Sequence, residues 1–320
     1  MRIVFMGTPE FAVPTLQALA QSDHLIELVV TQPDRPAGRS GKPRPSAVKT
    51  RAEKLGLELF QPESIKSEAV LEKLQSCEAD VFIVIAYGKI LPTSVLNIPR
   101  LGCVNIHASL LPAYRGAAPI NWAIIEGETE TGVTIMEMDE GMDTGPIIEQ
   151  KKVPILEDDD AVSLGSILST EGAQLLIKVL DEIEENNRID SRPKNDKDAT
   201  YAPLLKKEDG RLNWDQSTEA LICRVRGLVP WPGAHTSCQR GMFKIIRVEP
   251  AWESLHPDIE KIVGTKPGTV ARLAKGYGPV VRTSDGFVLI TEGQVQGKRS
   301  MSGTDLVNGG MLLKNEVLGQ

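Results

Sequence analysis

Cysteine is scarce in this chain and scattered. Cys77, Cys103, Cys223 and Cys238 form no CxxC pair and have no histidine at ligand spacing, which argues against a disulfide framework and against a structural zinc. No apolar run is long enough to span a bilayer. Met1-Arg2 leads straight into the apolar run Ile3 to Met6 without a signal or transit pattern, so a cytoplasmic chain is expected. Glycine is also missing where it would matter for one common cofactor. After the first apolar run only Gly7 is present, whereas a dinucleotide fingerprint needs a GxGxxG turn; this argues against a nicotinamide enzyme. Positive charge is lacking overall, with a net of -7.

What is present is a globular composition, 41% hydrophobic and 25% charged, over 320 residues, which predicts two domains. Divided near residue 202, the first part holds 20 Lys+Arg against 31 Asp+Glu, and the remainder 16 against 12. The basic remainder is the part suited to a polyanion. Apolar runs at 1–6, 25–31 and 81–85 alternate with helical patterns at 8–20, 46–55 and 64–76, and a long helix is expected over 160–185. This order predicts an α/β, Rossmann-like, mostly parallel sheet. Thr8 is expected to cap the first helix. Residues 189–206, polar and proline-containing, predict a linker between a domain over 1–188 and a smaller one over 207–320. In the latter, short strands at 211–214, 242–249, 268–273, 280–283 and 287–294 surround one helix at 217–227. Gly-containing turns between them predict a small β-barrel.

Chemistry-bearing residues concentrate between 101 and 119. Leu101 to Ile106 predicts a buried strand, and residues two apart share a face, so Asn105 and His107 project together. Taken alone the pair has a bland explanation, a strand-end cap and a structural histidine. A second segment changes the balance: Gly132 to Pro146 predicts a strand running into a glycine-bounded loop that carries Asp143, a carboxylate able to pair with an imidazole. Tyr87, after the central strand, is expected to border the same pocket. His24 and His256 are expected at the surface, and Cys103 as a core thiol rather than a reactive one. From Arg35 to Arg51 the chain carries six basic residues and no acidic one, in a Pro- and Gly-rich stretch. Such a loop is either a solvated surface or a phosphate-binding one.

Asn105-x-His107, the Ser109-Leu110-Leu111-Pro112 loop, Arg115-Gly-Ala-Ala-Pro119, Asp143-Thr-Gly-Pro146 and Pro230-Trp-Pro-Gly233 together resemble the formyltransferase family that uses 10-formyltetrahydrofolate. At Ala113-Tyr114 the chain departs from the arginine-aromatic pair of that pattern. The resemblance implies a catalytic Asn105, His107 and Asp143. Asn105 and His107 would stabilise the oxyanion of a tetrahedral intermediate, His107 would serve as acid, and Asp143 would orient His107 or act as base. It implies folate contacts at Ser109, Leu110, Leu111, Pro112 and Tyr87, and no metal. It makes the C-terminal domain OB-like. It also implies that the acceptor is the α-amine of a methionine on initiator tRNA, entered by a loop with Arg35, Arg39, Lys42 and Arg44. A monomer with no membrane partner is expected. Alternatives are a relative acting on a small amine such as glycinamide ribonucleotide, or a non-catalytic RNA-binding module.

Overall fold

The computed structural model describes residues 1–36, 43–251 and 265–320. The chain divides into two compact units, one of residues 1–119, 130–154 and 164–203, the other of residues 120–129, 155–163 and 204–320. Neither unit is contiguous in sequence. The segment expected as a linker is largely counted with the first unit, through residue 203.

The first unit is built on a seven-stranded sheet. Its strands are β1 (Arg2–Gly7), β2 (Leu25–Val30), β5 (Leu59–Phe60), β6 (Val81–Ile85), β7 (Cys103–His107), β9 (Glu130–Glu137) and β10 (Ile147–Pro154), in the order β10-β9-β7-β6-β1-β2-β5. The first five are parallel; β9 and β10 are antiparallel. Two two-residue pairings add to them: β3 (Arg35–Pro36) with β4 (Pro43–Arg44), and β8 (Arg115–Gly116) with β11 (Tyr201–Ala202). β6 is apolar at every position because both sheet faces are covered there. One face packs on α1 (Val13–Ala20), α2 (Ala47–Leu55) and α6 (Ala161–Asn186), where Val104, Ile106 and Ile135 meet Leu176, Val179 and Leu180. The other face gathers Phe82, Val84 and Cys103 with Leu74 of α3 (Glu68–Gln75) and Val95 of the short α4 (Thr93–Leu96).

Helix α6 shows why this stretch is helical and how it docks. Asp160 accepts from the backbone of Val162 and Ser163, capping its first turn. Its buried Leu168, Gly172, Leu176 and Leu180 recur every fourth residue, and a Cβ on Gly172 would come 2.9 Å from Ile106 Cγ2. At the first helix the expected cap is not formed. Chain entry is a 3-10 turn after Pro9, and the Thr8 hydroxyl instead donates to the Tyr87 carbonyl at 3.0 Å, joining the loops after β1 and β6. His24, expected at the surface, is buried beside the amino terminus and the carboxylates of Asp181 and Glu184. His256 lies outside the described residues.

The second unit is an antiparallel sheet with helices. α5 (Pro119–Ile125), of which residues 120–125 belong here, precedes α7 (Thr218–Gly227), whose Ser217 cap accepts from the Ala220 backbone. Strands β12 (His235–Cys238), β13 (Gly241–Pro250), β14 (Val270–Ala274), β15 (Gly278–Arg282) and β16 (Phe287–Val295) follow the order β12-β13-β16-β15-β14. β17 (Met301–Ser302) pairs with β16 and leads into α8 (Gly303–Asn308). Residues 211–214, expected as a strand, make only an isolated bridge from Arg211 to His235, because Trp214 turns inward and donates its indole N–H to Thr236 at 3.1 Å. Among the described residues no helix is long and apolar enough to cross a membrane.

Candidate active site

Strand β7 positions the site by alternation. Val104 and Ile106 are sealed beneath α6, which turns Asn105 and His107 to the opposite face. Asn105 is anchored by its amide, which donates to the Val84 carbonyl of the neighbouring strand at 2.8 Å. That bond fixes the amide plane and uses one of two Nδ2 hydrogens. Asn105 Oδ1 is buried and has no hydrogen-bond partner among the described residues, a state that normally calls for a ligand.

His107 is 7% exposed and held from two sides. Its Nε2 lies 2.9 Å from the Tyr114 carbonyl oxygen. A carbonyl can only accept, so Nε2 carries the hydrogen and Nδ1 is the nitrogen free to exchange a proton. Nδ1 faces Asp143 Oδ1 at 3.6 Å, too long for a hydrogen bond but close for an ion pair. Burial pushes His107 below its ordinary 6.5, against the pull of the Asp143 carboxylate and the Tyr114 carbonyl, and the Lys194 charge adds to the push. The resting imidazole is therefore neutral at pH 7. A donor role for Nδ1 requires that the ring first gain a proton.

Asp143 adopts φ +54, a left-handed conformation that Asp tolerates better than most residues, and its Oδ2 accepts from the Gly116 backbone at 2.8 Å. The two segments singled out in the sequence thus meet. Cys103 shares the strand face of Asn105 but is 3% exposed, and burial pushes its thiol up to about 12, so it is a core residue.

The expected folate contacts divide. Leu110 and Pro112 are half-buried, whereas Ser109 is fully buried and Leu111 is 3% exposed in a small cluster with Met136 and Ile147. Thr134 organises this loop from β9: its hydroxyl donates to the Ser109 carbonyl at 2.7 Å and accepts from the Leu111 backbone at 3.1 Å. Gln150 completes the clasp on the Leu111 carbonyl. The Ser109 hydroxyl turns back into the loop, donating to the Ala113 carbonyl at 2.6 Å, and the Leu111 side chain packs in its cluster. Tyr87 is likewise a core residue, 2% exposed, packed with Phe82, Leu91 and Val95. The left-handed Ala86 and the Thr8 contact turn it inward, and burial pushes its phenol up to about 12.

The basic loop is only partly described, since Arg39 and Lys42 lie outside the described residues. Arg35 and Arg44 are both exposed and sit directly opposite one another across the β3–β4 pairing. Like charges in register repel unless an anion lies between them. Asp34 does not relieve them, being committed to Gln61 at 2.8 Å and Lys49 at 2.7 Å.

Two contacts beside the site had no local sequence signal. Arg115, 4% exposed, pairs with Asp196 at 2.5 Å, and Lys194 donates to the Gly145 carbonyl at 2.5 Å. Both partners come from the polar stretch expected as linker. Thr134 had a usable signal, a polar residue at an inward position of an otherwise apolar strand.

This fold and site define a class. The chain matches the formyl transferase family model over residues 1–180 and the formyl transferase C-terminal domain model over residues 204–310, and it belongs to that family. Among its relatives, the methionyl-tRNA formyltransferase of Synechococcus sp. (strain JA-3-3Ab) is 48% identical over 99% of each chain. That of Geotalea uraniireducens is 43% identical over 100% of this chain and 98% of its own. Among solved structures, the sugar 3N-formyl transferase WlaRD, obtained with dTDP and 5-N-formyl-THF, shares the fold with a TM-score of 0.65. It is 19% identical, over 93% of this chain and 99% of its own.

Proposed function

We propose that this chain transfers a formyl group from 10-formyltetrahydrofolate to the α-amine of methionyl-tRNA, the initiator, and that residues 1–188 carry the chemistry while residues 207–320 bind the tRNA. The observation that carries the reading is the convergence of Asn105, His107 and Asp143 from separate segments in a chain similar along its whole length to relatives of that name.

Bound in the site, the folate supplies an activated formyl group. The residues present fit such a guest. Asn105 keeps one amide hydrogen for a carbonyl oxygen that gains negative charge, and its unpartnered Oδ1 accepts an N–H of the incoming amine. His107, neutral at rest, takes a proton at Nδ1, and Asp143 stabilises the imidazolium that results. His107 then returns that proton to the leaving nitrogen. Leu110 and Pro112, the half-buried members of their loop, provide an apolar flank for the pterin. Arg35 and Arg44, with Arg39 and Lys42, meet the tRNA backbone. In this reading the protein works as a cytoplasmic monomer, without a metal or a membrane partner.

The test measures formyl transfer to methionyl-tRNA and, in parallel, to glycinamide ribonucleotide. Transfer to the tRNA alone, reduced roughly 10²–10³-fold by Asn105→Ala, is the expected result. Transfer only to the small amine overturns the acceptor, and transfer to neither overturns the enzyme reading.

A further inference from the structure

The polar stretch 191–202 touches both halves of the site. On one side it holds the turn that carries Asp143. Ile147 and Arg192 exchange two backbone hydrogen bonds at 2.8 Å, Ser191 donates to Glu137, and the Lys194 ammonium donates to the Gly145 carbonyl. On the other side it holds the backbone that grips His107 and Asp143. Thr200 accepts the Tyr114 N–H on its hydroxyl and the Arg115 N–H on its carbonyl, both at 2.8 Å, and the Ala202 carbonyl accepts from Ala117 at 3.0 Å. Tyr114 supplies the carbonyl on His107, and Gly116 the N–H on Asp143. The approach is close enough that a Cβ on Gly116, at φ +118, would lie 2.7 Å from the Ala202 oxygen.

Lys194 stands apart within this stretch. Between residues 190 and 201 only it and Ala199 are not exposed. Burial and the neighbouring Arg115 guanidinium push its ammonium down, while Asp143, Asp139 and Asp196 pull it up. A half-buried cation next to a second cation is costly and needs a purpose beyond solubility.

We propose that Ser191 to Ala202 forms a positioning strap for the His107–Asp143 pair, and that Lys194 is its positioning residue, clamping the Asp143 turn through Gly145 and setting a fixed positive charge beside the pair. This inference rests on the proposed function for its catalytic consequence, though not for its geometry. The groups in reach of His107 are the Asp143 carboxylate, 3.6 Å from Nδ1, and the Tyr114 carbonyl, 2.9 Å from Nε2, and the Lys194 ammonium on the Gly145 carbonyl adds its charge to theirs. Removing the ammonium leaves the imidazole easier to protonate, so the pH at which His107 charges rises. More of the protein then carries a charged imidazole near neutral pH, and formyl transfer falls.

The experiment compares wild type, Lys194→Met and Lys194→Arg in two measurements. His107 is titrated by NMR in the ligand-free protein, its resonance assigned among the four histidines by its loss in His107→Gln. Formyl transfer is measured in parallel as kcat and KM across pH. Lys194→Met is expected to raise the His107 midpoint by about half a unit or more. It should also lower kcat roughly tenfold to a hundredfold, with the folate KM unchanged. Lys194→Arg should restore the midpoint and part of kcat. An unchanged His107 midpoint in Lys194→Met overturns the strap, whatever the activity. Absence of transfer in wild type overturns the proposed function alone, since the NMR midpoint still decides the strap.

Discussion

Strand β7 and the strap at 191–202 support the site by different means, β7 carrying Asn105 and His107 and the strap bracing the surroundings of His107 and Asp143. β7 is fixed by burial: Val104 and Ile106 are locked under α6, and the opposite side of the strand is left polar by alternation. The strap is mostly exposed and has almost no apolar contact to contribute; it acts through hydrogen bonds and two charged clamps. Burial supplies stability and sets which way a side chain points. Hydrogen bonds from a second, separate segment set distance: Thr200 accepts from Tyr114 and Arg115 at 2.8 Å, holding the backbone that contacts His107 at 2.9 Å and Asp143 at 2.8 Å. The comparison therefore separates residues whose loss unfolds the protein from residues whose loss misaligns it.

The largest effect is expected at the polar face of β7. His107→Gln should lower kcat/KM by roughly 10²–10⁴ while the denaturant midpoint stays put; a parallel loss of stability would erase the distinction between the two faces. Ile106→Ala, on the other face of the same strand, should cost about 2–5 kcal/mol in denaturant unfolding and leave kcat per folded molecule within about twofold. Gly116→Ala tests the closest approach of the strap. The forced left-handed backbone and the clash with Ala202 should lower kcat roughly tenfold, read at saturating folate and tRNA. Smallest is the effect at the exposed arginines. Arg35→Ala or Arg44→Ala should weaken tRNA binding a few-fold and flatten its salt dependence by about one unit of slope, with folate binding unchanged.

Much of this contrast was legible in the sequence, though unevenly. Alternation in the strand expected over 101–106 identified the two faces of β7, and the loop carrying Asp143 was legible from its glycines, whereas its left-handed φ of +54 was not. The doubly covered strands were legible as continuous apolar runs. Tyr87, expected at the pocket border, is buried because a short loop can turn an aromatic either way; its carbonyl is held by Thr8, a residue seventy-nine positions away that looked like a helix cap. The strap was missed for a related reason. A polar stretch without period reads as linker, since its partners at Ile147, Gly145 and Arg115 are specified by tertiary pairing and leave no local pattern. Lys194 has no sequence signal at all; its significance comes only from being less exposed than its neighbours.

The most direct test of the account is a double-mutant cycle on the single-turnover rate of formyl transfer to methionyl-tRNA, using His107→Gln and Asp143→Asn. Asn keeps an acceptor for the Gly116 N–H and tolerates the left-handed backbone. If His107 and Asp143 act as one unit, the double variant should be within about threefold of His107→Gln alone. Losses that multiply in full would mean that the two residues work independently, and would contradict the account.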